Sequence, residues 1–182
     1  MKKKLLLSFT VFAVFTITYA QQVDDVPYDF PIRPGMKEWN SFKSVTDMFK
    51  ACQIPADKLE SMSTRGLAVT CLDFPSISIL MIYNTPQQGF EVWKTNFNGV
   101  KYLLSRTDAF STLFKIYKEY DIKGYERFSE PMQKGHYTLS IKNIEAILAQ
   151  DDIMNSISEE QVKELLKTSL SKYTEMVNDS MY

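Results

Sequence analysis

Apolar residues along this chain recur at helical spacing in segment after segment. Val45, Met48 and Phe49 follow Ser44-Val45-Thr46-Asp47, a stretch with the form of a capping box with Asp in the distal place. Pro55 suits the first turn of a short helix carrying Leu59 and Met62. Ser63-Thr64 opens another with Leu67, Val69, Cys71 and Leu72, which Asp73-Phe74-Pro75 ends. Phe90, Val92, Trp93 and Phe97 predict a helix after a turn at Pro86–Gly89, broken at Asn98-Gly99, and Val100 to Leu104 a short one after it. Thr107 or Asp108 caps a helix with Phe110, Leu113, Phe114 and Tyr117 on one face, at i, i+3, i+4 and i+7. Gly124–Gly135 reads as a loop, and Ser140 as the start of a helix with Ile141, Ile144, Ile147 and Leu148. Ser158-Glu159-Glu160-Gln161 is a capping box, and Val162, Leu165, Leu166, Leu170, Tyr173 and Val177 form the strongest stripe, expected to face the core.

Strand signals are few. The continuous apolar run Ile77–Tyr83 suits a buried strand as well as a buried helix, because periodicity cannot separate the two. Its helical neighbours favour helix. Short helices persist only when packed against others, so the expected fold is all-α: a multi-helix bundle with solenoid-like stacking. No sequence repeat of fixed period supports a regular solenoid.

The N-terminus departs from this pattern. Met1-Lys2-Lys3-Lys4, an apolar run Leu5–Ile17 and Thr18-Tyr19-Ala20 predict a signal peptide over residues 1–20, cut after Ala20. The run is shorter than the roughly 20 residues of a spanning helix, which disfavours an anchor. Residues 21–38 then read as an extended strap before a single helical domain over 39–182. Pro31 and Pro34 hold Phe30 and Arg33 out of helix, and Pro34-Gly35 fits the centre of a type II turn. The expectation is an exported chain, periplasmic or extracellular, that is not an integral membrane protein once cut.

Charge adds little to the list of partners. Losing the three lysines of the signal peptide leaves 18 basic against 22 acidic residues, a formal −4. Nucleic-acid binding wants a basic face, so none is expected. Two cysteines, Cys52 and Cys71, are either an export-compatible disulfide or two buried free thiols. With one histidine they are too few for a structural zinc site, so no metal or cofactor is expected.

The stretches "FPIRPGMKEW", "ACQIP", "MSTRGLAVTCLDFP" and "GFEVWKTNFNGVKYLL" resemble a family of exported bacterial helical proteins of no known activity. The resemblance covers roughly residues 28–121. It implies export and a helical fold, and carries over no functional residue.

Catalytic constellations are sparse. His136 has Ser140 four residues on and Glu130 six before, but no nucleophile-elbow pattern surrounds it. Carboxylate pairs such as Glu119 with Asp121, or Asp24 with Asp25, carry no specific signal for glycoside hydrolysis. Phosphate-cradling glycine loops are absent. Between Lys101 and Arg127 six basic residues face four acids, with tyrosines interleaved, whereas residues 145–182 carry eight acids and three lysines. Tyrosine beside arginine is the composition of interaction hot spots. The candidate binding residues are therefore Arg33, Trp39, Trp93, Tyr102, Arg106, Tyr117 and Tyr120. The expected function is binding of a protein or peptide partner on a helical surface. The alternatives are a hydrolase acting on an envelope or dietary polymer, and a carbohydrate-binding accessory module.

Overall fold

In the computed structural model, residues 25–77 and 82–182 are described. The expected signal peptide, the first residues of the strap and most of the apolar run Ile77–Tyr83 lie outside them. Among the described residues the architecture is helical, with no strand. The helices are α1 (Lys37–Asn40), α2 (Val45–Ala51), α3 (Ala56–Ser61), α4 (Thr64–Leu72), α5 (Pro86–Asn96), α6 (Asn98–Leu104), α7 (Ala109–Glu119), α8 (Pro131–Leu148), α9 (Asp151–Met154) and α10 (Glu159–Val177). A 3-10 turn, Ile122–Arg127, links α7 to α8.

Local chemistry sets many of these ends. Ser44, Ser63, Thr85 and Ser158 each accept a hydrogen bond from the third backbone N–H beyond them, satisfying a donor the first helical turn leaves free. At Ser158 the return bond also forms, with Ser158 N donating to Gln161 Oε1 at 2.8 Å. At Ser44 it does not: the hydroxyl donates instead to Asp47 Oδ2 at 2.8 Å. Asp108 stands at the N-cap of α7, but its carboxylate turns away to accept from Thr64 Oγ1 at 2.7 Å, tying the starts of α4 and α7 together.

Three expected boundaries move. α8 begins at Pro131, nine residues before Ser140, because proline needs no N–H bond in the first turn. His136 is consequently helical, and most of the expected loop Gly124–Gly135 is 3-10 turn or helix. Pro86 likewise occupies the first position of α5 rather than a preceding turn. The break between α5 and α6 falls on Phe97, which is extended, while Asn98 and Gly99 belong to α6.

The core is centred on Phe74, just after α4. Its ring lies 4.6 Å from Phe97, 5.6 Å from Phe49, 5.9 Å from Trp93 and 6.1 Å from Phe30, centroid to centroid. The N-terminal segment, α2 and α5 thus meet at one side chain. α4 packs on α6 and α7, α5 on α6, and α7 on α8. Beside this hub Arg33 Nη2 donates to Asp73 Oδ2 at 2.8 Å, and Tyr28 N donates to Thr70 Oγ1 at 2.8 Å. Gly35, with φ +93°, makes the turn expected there, closed by Met36 N donating to the Arg33 carbonyl at 3.1 Å. Asn98 clamps the chain after α2: its Nδ2 donates to the Ile54 carbonyl at 2.7 Å, and Ile54 N donates to its Oδ1 at 3.0 Å.

Cys52 and Cys71 are buried free thiols. The bridge is not formed. Burial pushes the Cys52 thiol up to about 11 and Cys71 higher still. The neutral thiol is the buried form in each case. Its contribution to stability is complete below the value of an unfolded cysteine, about 8.5, and is lost as pH climbs from there through 11. Urea-unfolding free energy should therefore fall between pH 8.5 and 11. Iodoacetamide at pH 8 should label both thiols in urea and neither in the folded protein; two unlabelled cysteines in urea would instead mean a bridge.

A second prediction concerns Gly99. A Cβ there would lie 2.5 Å from the Phe97 ring and 3.0 Å from Ile54 Cδ1. Helix propensity alone favours Gly99→Ala by about 1 kcal/mol. The clash should win, giving a net loss of about 1–3 kcal/mol in chemical unfolding. A stabilised variant would show that the ring can move aside.

Candidate functional site

Most of the residues singled out from sequence brace the fold. Trp93 is wholly buried, with its ring among those of Phe74, Phe90 and Phe97 and its Nε1 without a hydrogen-bond partner. Trp39 is half-buried, edge-on to Phe42 at 5.7 Å. Arg33 is held by Asp73, with Asp29 at 3.3 Å. Arg106 Nη2 donates to the carbonyls of Leu59 and Met62, 3.2 and 3.1 Å, which satisfies the end of α3. Its guanidinium covers the Tyr102 ring at 4.9 Å. Tyr117 is buried and donates to Glu145 Oε1 at 2.6 Å. Tyr120 stacks on Tyr137 at 4.8 Å and donates to the Tyr137 carbonyl. The fold brings two pairs of them together: Arg106 with Tyr102, and Tyr117 with Tyr120, which both meet Lys172 of α10.

Part of the basic stretch from Lys101 to Arg127 is similarly engaged. Lys118 pairs with Glu164 at 3.2 Å, and Arg127 covers Tyr137 at 4.8 Å. His136 is exposed beside a cavity of about 180 Å³, shared with Phe128, Gln133, Tyr137 and Ser140. Ser140 Oγ donates to the His136 carbonyl at 3.0 Å, one turn back along α8, and not to the imidazole. Asp25 and Asp121 are likewise committed, to Ser63 and to the Lys123 N–H. Glu119 pairs with Arg65 at 3.3 Å.

A mainly apolar groove lies along α10. Leu148, Ala149, Met154, Leu165, Leu166, Ser169, Tyr173, Met176 and Glu145 line a groove of about 450 Å³ between α10 and the pair α8–α9. The stripe expected to face the core is divided here. Leu165 and Met176 are buried, but Leu166, Leu170, Tyr173 and Val177 are exposed by 63, 66, 62 and 64%. At 100° per residue these four form a ridge roughly 110° around the helix from Leu165.

Lys172 sets this rotation. It lies on the buried face between Leu165 and Met176, only 8% exposed. Its Nζ donates to the Tyr120 carbonyl at 2.6 Å and sits 5.6 Å from the Tyr117 ring centroid. Burial holds this ammonium below the usual lysine range. The position gives the open carbonyl after α7 a charged donor, which is worth more than a neutral one. Turning the apolar ridge inward would carry Lys172 away from that carbonyl.

Sequence periodicity alone merged two stripes into one. The signal that separates them is width: Val162, Leu165, Leu166, Leu170, Tyr173 and Val177 span more arc than one docking contact covers. The buried lysine at the seven-residue step from Leu165 carried no apolar mark at all.

Comparison with family models, with curated proteins and with solved structures gave no match, so the functional reading rests on this geometry. No helix among the described residues is long and apolar enough to cross a membrane, and no cluster of three or more metal-ligating side chains occurs among them.

Lys172→Ala should cost about 1–3 kcal/mol, the loss expected when a buried acceptor is left unpaired. Circular dichroism should show α10 melting earlier, with the core unaffected. Unchanged melting would mean that Lys172 does not anchor the helix.

Proposed function

We propose that this chain is an exported helical protein that binds a protein or peptide partner on the α10 face. The observation that carries the reading is the ridge Leu166–Leu170–Tyr173–Val177 beside an apolar groove. A helical groove with large apolar lips takes amphipathic helices, which anchor at i, i+3, i+4 and i+7. Together the four side chains expose on the order of 450 Å² of mainly apolar surface, the size of the largest patch on a typical monomer. The groove holds one acid, Glu145, which Tyr117 already engages. A charged small molecule finds little to bind there, and the mature chain's net −4 gives no attraction for nucleic acid. Export rests on the cationic start and apolar run of residues 1–17.

The remaining architecture serves as a frame in this reading. Residues 21–38 act as a strap, supported by buried Phe30 and the Arg33–Asp73 pair. Two consecutive pairs, α5 on α6 and α7 on α8, are what supports solenoid-like stacking, and α4 packs across them on α6, α7 and α8. Removing residues 21–35 takes Phe30 from the Phe74 hub and should lower the melting temperature by several degrees.

The test is capture of partners by the exported protein from its own envelope, with wild type beside Leu166→Asp/Tyr173→Asp. The specific partner should be retained by the wild type and reduced at least ~10-fold by the variant, equivalent to about 1.4 kcal/mol. Equal capture by two folded proteins would place binding elsewhere.

A further inference from the structure

We infer that α10 is a hinged flap: it swings open along its α8–α9 side while its opposite edge stays tied to residues 118–125. The hinge is built from contacts within the chain and needs no partner.

The two edges of α10 are held differently. On one edge Lys118 pairs with Glu164 at 3.2 Å, and Lys172 Nζ donates to the Tyr120 carbonyl at 2.6 Å. Just past the helix, the Tyr125 hydroxyl donates to Asp179 Oδ2 at 2.8 Å and the Tyr182 hydroxyl donates to the Ile122 carbonyl at 3.0 Å. These ties run from the first turns of α10 to beyond its last, and all of them end on the close of α7 or on the 3-10 turn. Around the helix, Lys172 and Glu164 lie roughly 20° and 100° to one side of Leu165. Ser169, Tyr173 and Leu166 lie roughly 40–100° to the other side, where they line the groove. Among the described residues no hydrogen bond or ion pair crosses that groove from α10 to α8 or α9.

The facing wall is fixed. Lys94 pairs with Asp152 of α9 at 2.5 Å, and Gln87 Nε2 donates to Gln150 Oε1, just ahead of α9, at 3.1 Å. Lys94 and Gln87 both belong to α5, so the α8–α9 side is joined to the body and α10 is the wall that moves.

Little apolar burial holds the flap shut. Of the 19 residues of α10 only Leu165, Lys172 and Met176 are buried. Lys172 belongs to the tied edge, which leaves Leu165 and Met176, and both line the groove. An element with few buried apolar contacts opens at low cost. A row of polar bonds along one edge lets it turn as a rigid body, with the change absorbed at the hinge. The closed groove of about 450 Å³ holds about one turn of a guest helix, since a turn about 5.4 Å long and 10 Å across fills on the order of 400 Å³. Anchors at i, i+3, i+4 and i+7 span two turns. On the docking reading of this face, which the hinge itself does not require, opening is what admits such a segment.

Spin labels at exposed positions test the hinge in the full exported chain. Ala149→Cys with Tyr173→Cys spans the groove, and Lys115→Cys with Ser171→Cys spans the tied edge. Cys52 and Cys71 are buried and stay unlabelled. Double electron–electron resonance should give the groove pair a second, longer distance in at least ~10% of molecules, and the edge pair one narrow distance. One narrow distance for both pairs overturns the inference and leaves the docking reading intact. Two distances for both pairs mean that α10 detaches whole, which overturns the hinge. Chemical access gives a second measure. Leu148 lies on the groove wall and is only 2% exposed. In Leu148→Cys the new thiol should react with iodoacetamide at least ~10-fold faster than Cys52 and Cys71. Equal rates mean that the groove opens only with the whole fold, and overturn the inference. If both measures show opening while the envelope yields no specific partner, the docking reading fails and the flap stands.

Discussion

The Phe74 ring is the contact on which the arrangement of this protein depends. Helices of four to eleven residues make up α1 to α7, and none of that length is stable alone in water. They are held by what they bury in common. Phe74 gathers Phe30, Phe49, Trp93 and Phe97, which come from three parts of the chain far apart in sequence. Asp73 next to it holds Arg33, so the apolar and the ionic fixing of the N-terminal segment act at adjacent residues. The ion pair is partly exposed and worth little by itself. Its role is orientation, while buried Phe30 supplies most of the energy.

A different kind of constraint governs the other end. α10 has 19 residues and three faces. Leu165, Lys172 and Met176 meet the body; Leu166, Leu170, Tyr173 and Val177 form the ridge; Glu160, Lys163, Glu164, Lys167 and Glu175 fill the rest. Hydrophobic burial alone would turn the ridge inward, since its four side chains present more apolar surface than Leu165 and Met176. The Lys172 bond to the Tyr120 carbonyl opposes that rotation. Inward rotation would have to bury a lysine without its acceptor, or expose it and leave the carbonyl unpaired, at about 1–3 kcal/mol. One polar contact thereby decides which apolar face remains available.

The helical class and most helix starts were legible because they follow from local chemistry. Ser44, Ser63 and Ser158 cap helices through side chains three residues from the groups they satisfy, and Gly35 turns because only glycine takes its φ without strain. The start of α8 was less legible, since Pro131 suits a loop as well as a first helical turn, and only packing on the 3-10 turn and α7 selects the helix. The candidate site was hardest to read. Arg106 and Tyr117 have the composition of a binding surface, yet their partners, the Leu59 and Met62 carbonyls and Glu145, lie 28 to 47 residues away. The ridge has the composition of a core. Exposure is a tertiary property, set here by Lys172, and periodicity is silent about it.

The same reasoning weighs binding against catalysis. A hydrolase site must hold a nucleophile, a base and an orienting group within reach of each other. Around His136 the available hydroxyl, Ser140, is turned back onto its own helix, and the exposed imidazole stands beside a cavity of about 180 Å³. The α10 groove has the opposite profile, with ample volume, apolar walls and almost no polar group left to do chemistry. Its single carboxylate already accepts from Tyr117, whose hydroxyl is held above the ordinary tyrosine range by burial and by that contact. A surface that is large, mainly apolar and held in place by a buried ammonium is what favours the proposed binding reading over a catalytic one.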